Sequence, residues 1–246
     1  MKKLPFLLIP LVSLPLLARE NIQDSRVRNQ WILWGALVGG TAVVGTQDGR
    51  IQRRVPVFLD TRFARKLDLK DFGRQGTAFE VLGTPLSVLA VGGSFYLAGL
   101  LKDSESAKDA GFSVAEAFVV NSVLVLSIKE VVGRARPVST SDSHRFKPFS
   151  ANASFPSGHT STAFSVATIV SDYYESPWAS ALSYGLAGLV GVGRVLQNKH
   201  WTSDVLVGAM LGYGSGSLVL RWKKKHDALS FGIYPTGQGI FLSRKF

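Results

Sequence analysis

The sequence predicts an all-α protein, a helical bundle of about six core helices with a short C-terminal β-hairpin. Three observations predict it. Six apolar, Gly/Ala-rich stretches of helical length follow the N-terminal segment. Pro, Gly and charged residues punctuate them, and β-branched alternation is scarce until the tail. The stretches run roughly over residues 31–46, 81–101, 112–132, 160–174, 178–196 and 205–220.

The N-terminal segment has its own pattern. Lys2 and Lys3 precede an almost wholly apolar run over 4–17, and Ala18 stands before Arg19 and Glu20. This reads as an export signal over 1–18. An uncleaved anchor is the alternative, and Pro5, Pro10 and Pro15 weaken it by interrupting a spanning helix. One helical domain is then expected over 19–226 and the hairpin tail over 227–246. In the tail, 228–234 and 240–246 flank the turn-forming run Pro235-Thr-Gly-Gln-Gly239.

Whether the helices span a bilayer is a question of length and charge. A span needs about 20 apolar residues. Residues 81–101 qualify, whereas 112–132 carry Glu116, Asn121 and Lys129. The loop expected over 48–80 holds Arg50, Arg53, Arg54, Arg62, Arg65, Lys66, Lys70 and Arg74. In a six-span bundle it shares a side with the motifs below, so an exported site would oppose the positive-inside tendency. The reading is an exported, periplasmic or membrane-associated domain, with an integral inner-membrane protein as the alternative. Leu59, Phe63 and Leu67, interleaved with Arg62, Arg65, Lys66 and Lys70, form a short basic amphipathic helix. It reads as a solvated surface helix, with an anionic membrane surface as its other candidate partner.

The 246 residues carry 28 Lys+Arg against 17 Asp+Glu, a net charge of +11 that favours anionic partners. No basic groove interleaved with aromatics and no reader motif accompanies it, so no nucleic-acid partner is expected. Absence of Cys excludes disulfides, thiolate catalysis and Cys-based zinc sites.

Three segments carry chemistry. The first is Lys129-x6-Arg136-Pro137: an ammonium near the end of an apolar helix, costly unless an anion meets it, and a planar guanidinium suited to phosphate oxygens. The second is Pro156-Ser157-Gly158-His159, ahead of an apolar helix. Ser157 is placed to N-cap it, Gly158 permits close backbone approach, and the free N–H groups of a helix start bind anions. The third is Arg194-x5-His200-x3-Asp204, where a carboxylate four residues on can fix the imidazole tautomer. Each alone has a structural explanation: a snorkelling Lys, a capped helix, a structural His–Asp pair. Together they describe a phosphate held by cations and backbone N–H groups between two imidazoles.

In this order, the three motifs resemble the type 2 phosphatidic acid phosphatase superfamily, which includes bacterial acid phosphatases and vanadium haloperoxidases. The resemblance covers about residues 81–220, and one departure is Gly193, where many members have Ser. It implies a phosphatase in which His200 is the nucleophile, oriented by Asp204, and His159 the leaving-group acid. Lys129, Arg136, Ser157, Gly158 and Arg194 would hold the phosphoryl oxygens. It implies no metal and no cofactor. The expected substrate is a lipid phosphate or a small phosphomonoester. A vanadate-dependent haloperoxidase and a non-catalytic envelope anion-binding protein are the competing readings; the intact His159, His200 and Asp204 weigh against the second.

Overall fold

The computed structural model describes residues 25–66, 77–227, 229–233 and 240–244. In chain order its helices are α1 (Ser25–Leu59), α2 (Arg62–Lys66), α3 (Thr77–Glu80), α4 (Pro85–Lys102), α5 (Glu105–Val132), α6 (Gly158–Tyr174), α7 (Pro177–Leu196) and α8 (Thr202–Asp227). Single 3-10 turns lie at Val81–Gly83 and Pro137–Ser139. The described residues are mostly helical, and α1 and α4–α8 take up the six apolar stretches in order.

Local sequence explains the boundaries. Pro85 and Pro177 stand in the first turns of α4 and α7, where no N–H is missed. Ser104 caps α5 by accepting from Ala107 N at 3.3 Å. Gly133 ends α5 in the left-handed region at φ 55°, with its N–H on Lys129 O. A side chain there would collide with the Lys147 backbone.

The seventeen-residue α6 sits at the centre, packed on α5, α7 and α8. Small residues allow this. A Cβ placed on Gly208 of α8 would lie 2.6 Å from Ser157 O, and one on Gly216 would lie 2.8 Å from Thr168 Cβ. The two backbones are therefore closer than side chains at these positions would permit. A buried apolar cluster of Val88, Val114, Ala117, Val166, Ile169 and Val219 ties α4, α5, α6 and α8 together.

Among the described residues, four helices are long and apolar enough to cross a membrane: Pro85–Lys102, Glu105–Val132, Pro177–Leu196 and the Thr202–Lys224 part of α8. Their outward faces are apolar. Leu86, Leu89, Leu97 and Leu101 are exposed on α4, and Val119, Val123 and Leu126 on one face of α5. Patches this continuous mark a membrane-associated bundle. The polar residues of α5 point elsewhere: buried Asn121 accepts from Ser161 Oγ of α6, and Glu116 lies 3.5 Å from Lys223 Nζ of α8.

Two expectations change. The first helix does not stop near residue 46 but continues to Leu59, so Asp48, Arg50, Arg53 and Arg54 are helical rather than part of a loop. The basic amphipathic helix is only five residues long within the described chain, and Leu67 and Lys70 lie outside the described residues. In the tail, Leu229–Ile233 and Ile240–Arg244 pair antiparallel, Leu229 opposite Arg244, but the 235–239 turn lies outside the described residues. The described core lends the hairpin no support, and it stays a proposal. The 1–18 signal segment also lies outside them.

Candidate active site

The end of α5, the start of α6, the end of α7 and the start of α8 meet at one end of the bundle. Ser157 N donates to Asp204 O (2.9 Å), joining the α6 start to α8. His200 N donates to Arg194 O (3.2 Å), joining the turn before α8 to the last turn of α7. All eight residues singled out by the motifs lie in this region.

Lys129 is met differently from expectation. Its ammonium donates to the carbonyl oxygens of Ala153 (2.6 Å) and Pro156 (2.7 Å), so two dipoles rather than an anion offset its burial. These bonds fasten α5 to the loop that leads into α6. Arg136 follows the Gly133 turn and is half-buried. Arg194 is buried; its Nη1 donates to Glu80 Oε1 and to Gln197 Oε1 (3.2 Å), and its Nε has no partner among the described residues.

Ser157 stands at the N-cap position of α6, yet its hydroxyl does not cap the helix. It pairs with Thr160 Oγ1 at 2.9 Å. The first N–H groups of α6 therefore keep their anion-binding capacity. Gly158 is not required by its protein neighbours. A Cβ there would be 3.6 Å from Val125 Cγ1 and 3.9 Å from Lys129 Cε, ordinary contacts. His159 is one-third exposed, with Nε2 3.7 Å from Glu80 Oε1.

His200 is almost fully buried in the turn between α7 and α8. Its Nδ1 lies 2.6 Å from Ser154 O and 3.6 Å from Asp204 Oδ2. The carbonyl can only accept, so Nδ1 carries the proton and Nε2 keeps its lone pair. The i, i+4 spacing thus brings the carboxylate close, but the direct hydrogen bond goes to a main-chain oxygen the motif does not show. Burial pushes the His200 pKa below the usual imidazole value, with Asp204 opposing it. Asp204 Oδ2 accepts from Ser154 Oγ (2.6 Å) and Trp201 N (2.9 Å).

The other Asp204 oxygen reveals residues the sequence reading missed. Arg134, fully buried near the rings of Phe146 and Trp201, donates through Nη1 to Asp204 Oδ1 (2.5 Å) and Ser203 Oγ (2.8 Å). Through Nη2 it reaches Asp48 Oδ2 (2.8 Å) and Ser143 O (2.7 Å), and through Nε again Ser143 O (3.0 Å). Asp48 also accepts from Ser203 N (3.0 Å) and Oγ. Arg134 lies within the x6 of the first motif, and Asp48 is an isolated acid after an apolar run. Glu80 is likewise a lone carboxylate between a basic segment and an apolar helix.

His144 is exposed and sits beside Ser143 Oγ, apart from this cluster. Among the described residues no group of three or more His, Cys, Asp or Glu side chains could hold a metal ion.

Comparisons with known proteins agree with this arrangement. The profile of the PAP2 superfamily matches residues 109–228, which include the three motifs. A lipid A 1-phosphatase of Porphyromonas gingivalis is 44% identical over 88 residues, 35% of this chain and 18% of that protein. A lipid A 1-phosphatase of Rhizobium etli is 31% identical over 127 residues, 48% of this chain and 52% of that protein. The chain thus spans about half or less of the curated relatives it matches. Among solved structures, a transmembrane PAP2-type phosphatidylglycerolphosphate phosphatase from Bacillus subtilis shares the fold. It has a TM-score of 0.55 at 22% identity, with 77% of this chain and 95% of that chain covered. The order of the motifs, their convergence at one bundle end and the profile match over 109–228 make this part of the chain similar to the type 2 phosphatidic acid phosphatase (PAP2) superfamily.

Proposed function

We propose that this chain is a metal-independent phosphatase of lipid phosphate monoesters, working through a phosphohistidine on His200. The observation that carries the reading is the buried His200 ring. Its Nδ1 is tied to Ser154 O and its Nε2 is left as a nucleophile, at an end of the bundle where Lys129, Arg194 and the α6 start gather. Nε2 attacks phosphorus while the bond to the leaving oxygen breaks, and His159 passes its proton to that oxygen. Water then attacks the phosphohistidine, giving its proton to His159, and inorganic phosphate leaves with His200 neutral again. Lys129, Arg136, Arg194, Ser157 and the N–H groups from Gly158 onward hold the equatorial oxygens and stabilise their charge in the transition state.

A lipid substrate fits a bundle with apolar outer faces, and the two curated relatives are named for a phosphorylated lipid. We place the helices across the inner membrane, with the active-site end on the exported side. The 1–18 segment serves as the export signal, 19–226 as the phosphatase domain and 227–246 as a structural hairpin.

The test compares His200→Ala and His159→Ala on two substrates, an alkyl phosphate and p-nitrophenyl phosphate, with EDTA in excess. His200→Ala should abolish release of phosphate from both. His159→Ala should damage the alkyl substrate more, by roughly the 10²–10⁴-fold a general acid contributes, because nitrophenolate leaves without a proton. Acid-labile, base-stable ³²P label should form on wild type and not on His200→Ala. Wild-type activity lost with EDTA and restored by Mg²⁺ contradicts the mechanism, as does label retained by His200→Ala.

A further inference from the structure

We infer that Glu80 is a second carboxylate of the active site, a positioning residue that holds His159 ready as the protonated acid, as Asp204 backs His200. The inference rests on the roles proposed above for His159 and His200. Glu80 is the last residue of α3, outside all three motifs. Its Oε1 accepts from Arg194 Nη1 and lies 3.7 Å from His159 Nε2. One carboxylate oxygen thus stands between the cation proposed to hold the phosphoryl group and the imidazole proposed to protonate the leaving oxygen.

The backbone fixes this placement. The 3-10 turn after Glu80 packs on the first turn of α6 so tightly that a Cβ on Gly83 would come within 2.7 Å of His159 Cβ. Phe79 borders the same narrow crevice as Leu189, Val190 and Gly193 of α7. The carboxylate is therefore delivered from two sides to a defined point, yet with its side chain 31% exposed it can turn when substrate arrives.

His159 needs such a partner. The charged groups around it are Arg194 from α7, Glu80 from α3, His200 from the turn before α8 and Lys129 from α5. Burial is the largest influence, and Arg194, His200 and Lys129 add to it; together they bring the pKa to about 4, with Glu80 alone opposing. With Glu80 held by Arg194, His159 is neutral near neutral pH and lacks the extra proton a general acid gives up. Once phosphate oxygens occupy the Arg194 guanidinium, the Glu80 charge is released from Arg194 and acts on His159. The substrate dianion acts in the same direction. The acid is then charged when a leaving group is present.

The experiment uses the full-length protein in detergent. Glu80→Gln keeps an oxygen that accepts from Arg194 and removes only the charge. We expect turnover of an alkyl phosphate to fall by roughly ten- to a hundredfold, a part of the 10²–10⁴-fold a general acid supplies, with little change for p-nitrophenyl phosphate. The limb of the alkyl-phosphate profile on which kcat falls with rising pH should move to lower pH, since the charged imidazole has lost its support. Glu80→Asp should recover part of both. Equal losses on the two substrates would mean a structural salt bridge only. Unchanged alkyl turnover with tighter vanadate inhibition would mean that Glu80 only competes with phosphate for Arg194. Either result overturns the inference. His159→Ala is run alongside: if it shows leaving-group dependence and Glu80→Gln does not, the Glu80 role fails alone. If neither shows it, the acid assignment has failed and the Glu80 role with it.

Discussion

Arg134 spends every donor it has inside the protein. Its guanidinium bonds Asp48, Asp204, Ser203 and twice the Ser143 carbonyl, with the rings of Phe146 and Trp201 near it. Two carboxylates share this one cation, and burial drives the Asp48 pKa upward against the lowering effect of Arg134 and Ser203. Arg134→Ala would leave both acids without their cation. Breaking one partner from a buried ion pair costs about 3–5 kcal/mol. The detergent-solubilised variant should therefore lose much of its stability in thermal or denaturant unfolding. Arg134→Lys should fare little better, since an ammonium cannot serve two carboxylates and a carbonyl in a planar fork. A wild-type melting profile for Arg134→Ala would show that the network contributes nothing to the fold. The residues with chemical spacing, His159, His200 and Asp204, were legible because motifs encode them along the chain. Arg134, Asp48, Glu80 and Ser154 were not. Their partners lie 70, 86, 114 and 46 positions away, and no local pattern reports that separation.

At the scale of the elements, the active site depends on how close α8 lies to α6. Gly208 is the contact nearest the chemistry, because the atom a Cβ would strike is the carbonyl oxygen of Ser157. That oxygen also accepts the first main-chain hydrogen bond of α6, from Ser161 N. Gly208→Val should push the α6 start away from Lys129 and His200. We expect an overpacking cost of about 1–3 kcal/mol and a larger proportional loss of phosphate release than of folded protein. Gly214→Ala on the same helix meets nothing within 4 Å and should be neutral in both measurements. Equal behaviour of the two variants would contradict this account of the packing. Six helices were readable from apolar length and Gly/Pro punctuation, because such stretches have no other way to satisfy their backbone away from water. The continuation of α1 to Leu59 was not. Its sequence changes from apolar to basic at Asp48 while the backbone stays helical, so composition marks a change of surroundings and not a change of conformation.

For the molecule as a whole, charge and apolar surface pull the topology in opposite directions. Arg50, Arg53 and Arg54 ride on the last turns of α1, beside Asp48 and Gln52, whose side chains reach Arg134, Val195 and Asn198 at the active-site end. The positive-inside tendency would hold that end in the cytoplasm. The proposed export of the site requires the opposite, with the 1–18 segment proposed as the signal that overrides the bias. Attachment to the membrane is decided separately, by the exposed leucines of α4 and the exposed valines of α5. Burying such a face in lipid yields about 25 cal/mol per Å² of apolar surface and does not weaken in salt, whereas contacts made by surface lysines and arginines do. Carbonate or high salt should therefore leave the protein in the membrane pellet, and only detergent should release it. The side is readable because the chain has no cysteine of its own. Ser141→Cys, exposed in the loop between α5 and α6, gives a single thiol at the active-site end. A membrane-impermeant maleimide should label it in intact spheroplasts, before lysis. Labelling only after lysis would place the site in the cytoplasm, with the basic end of α1 where its charge alone would put it. Release by carbonate would instead reduce the apolar faces to a surface that another protein, rather than lipid, must cover.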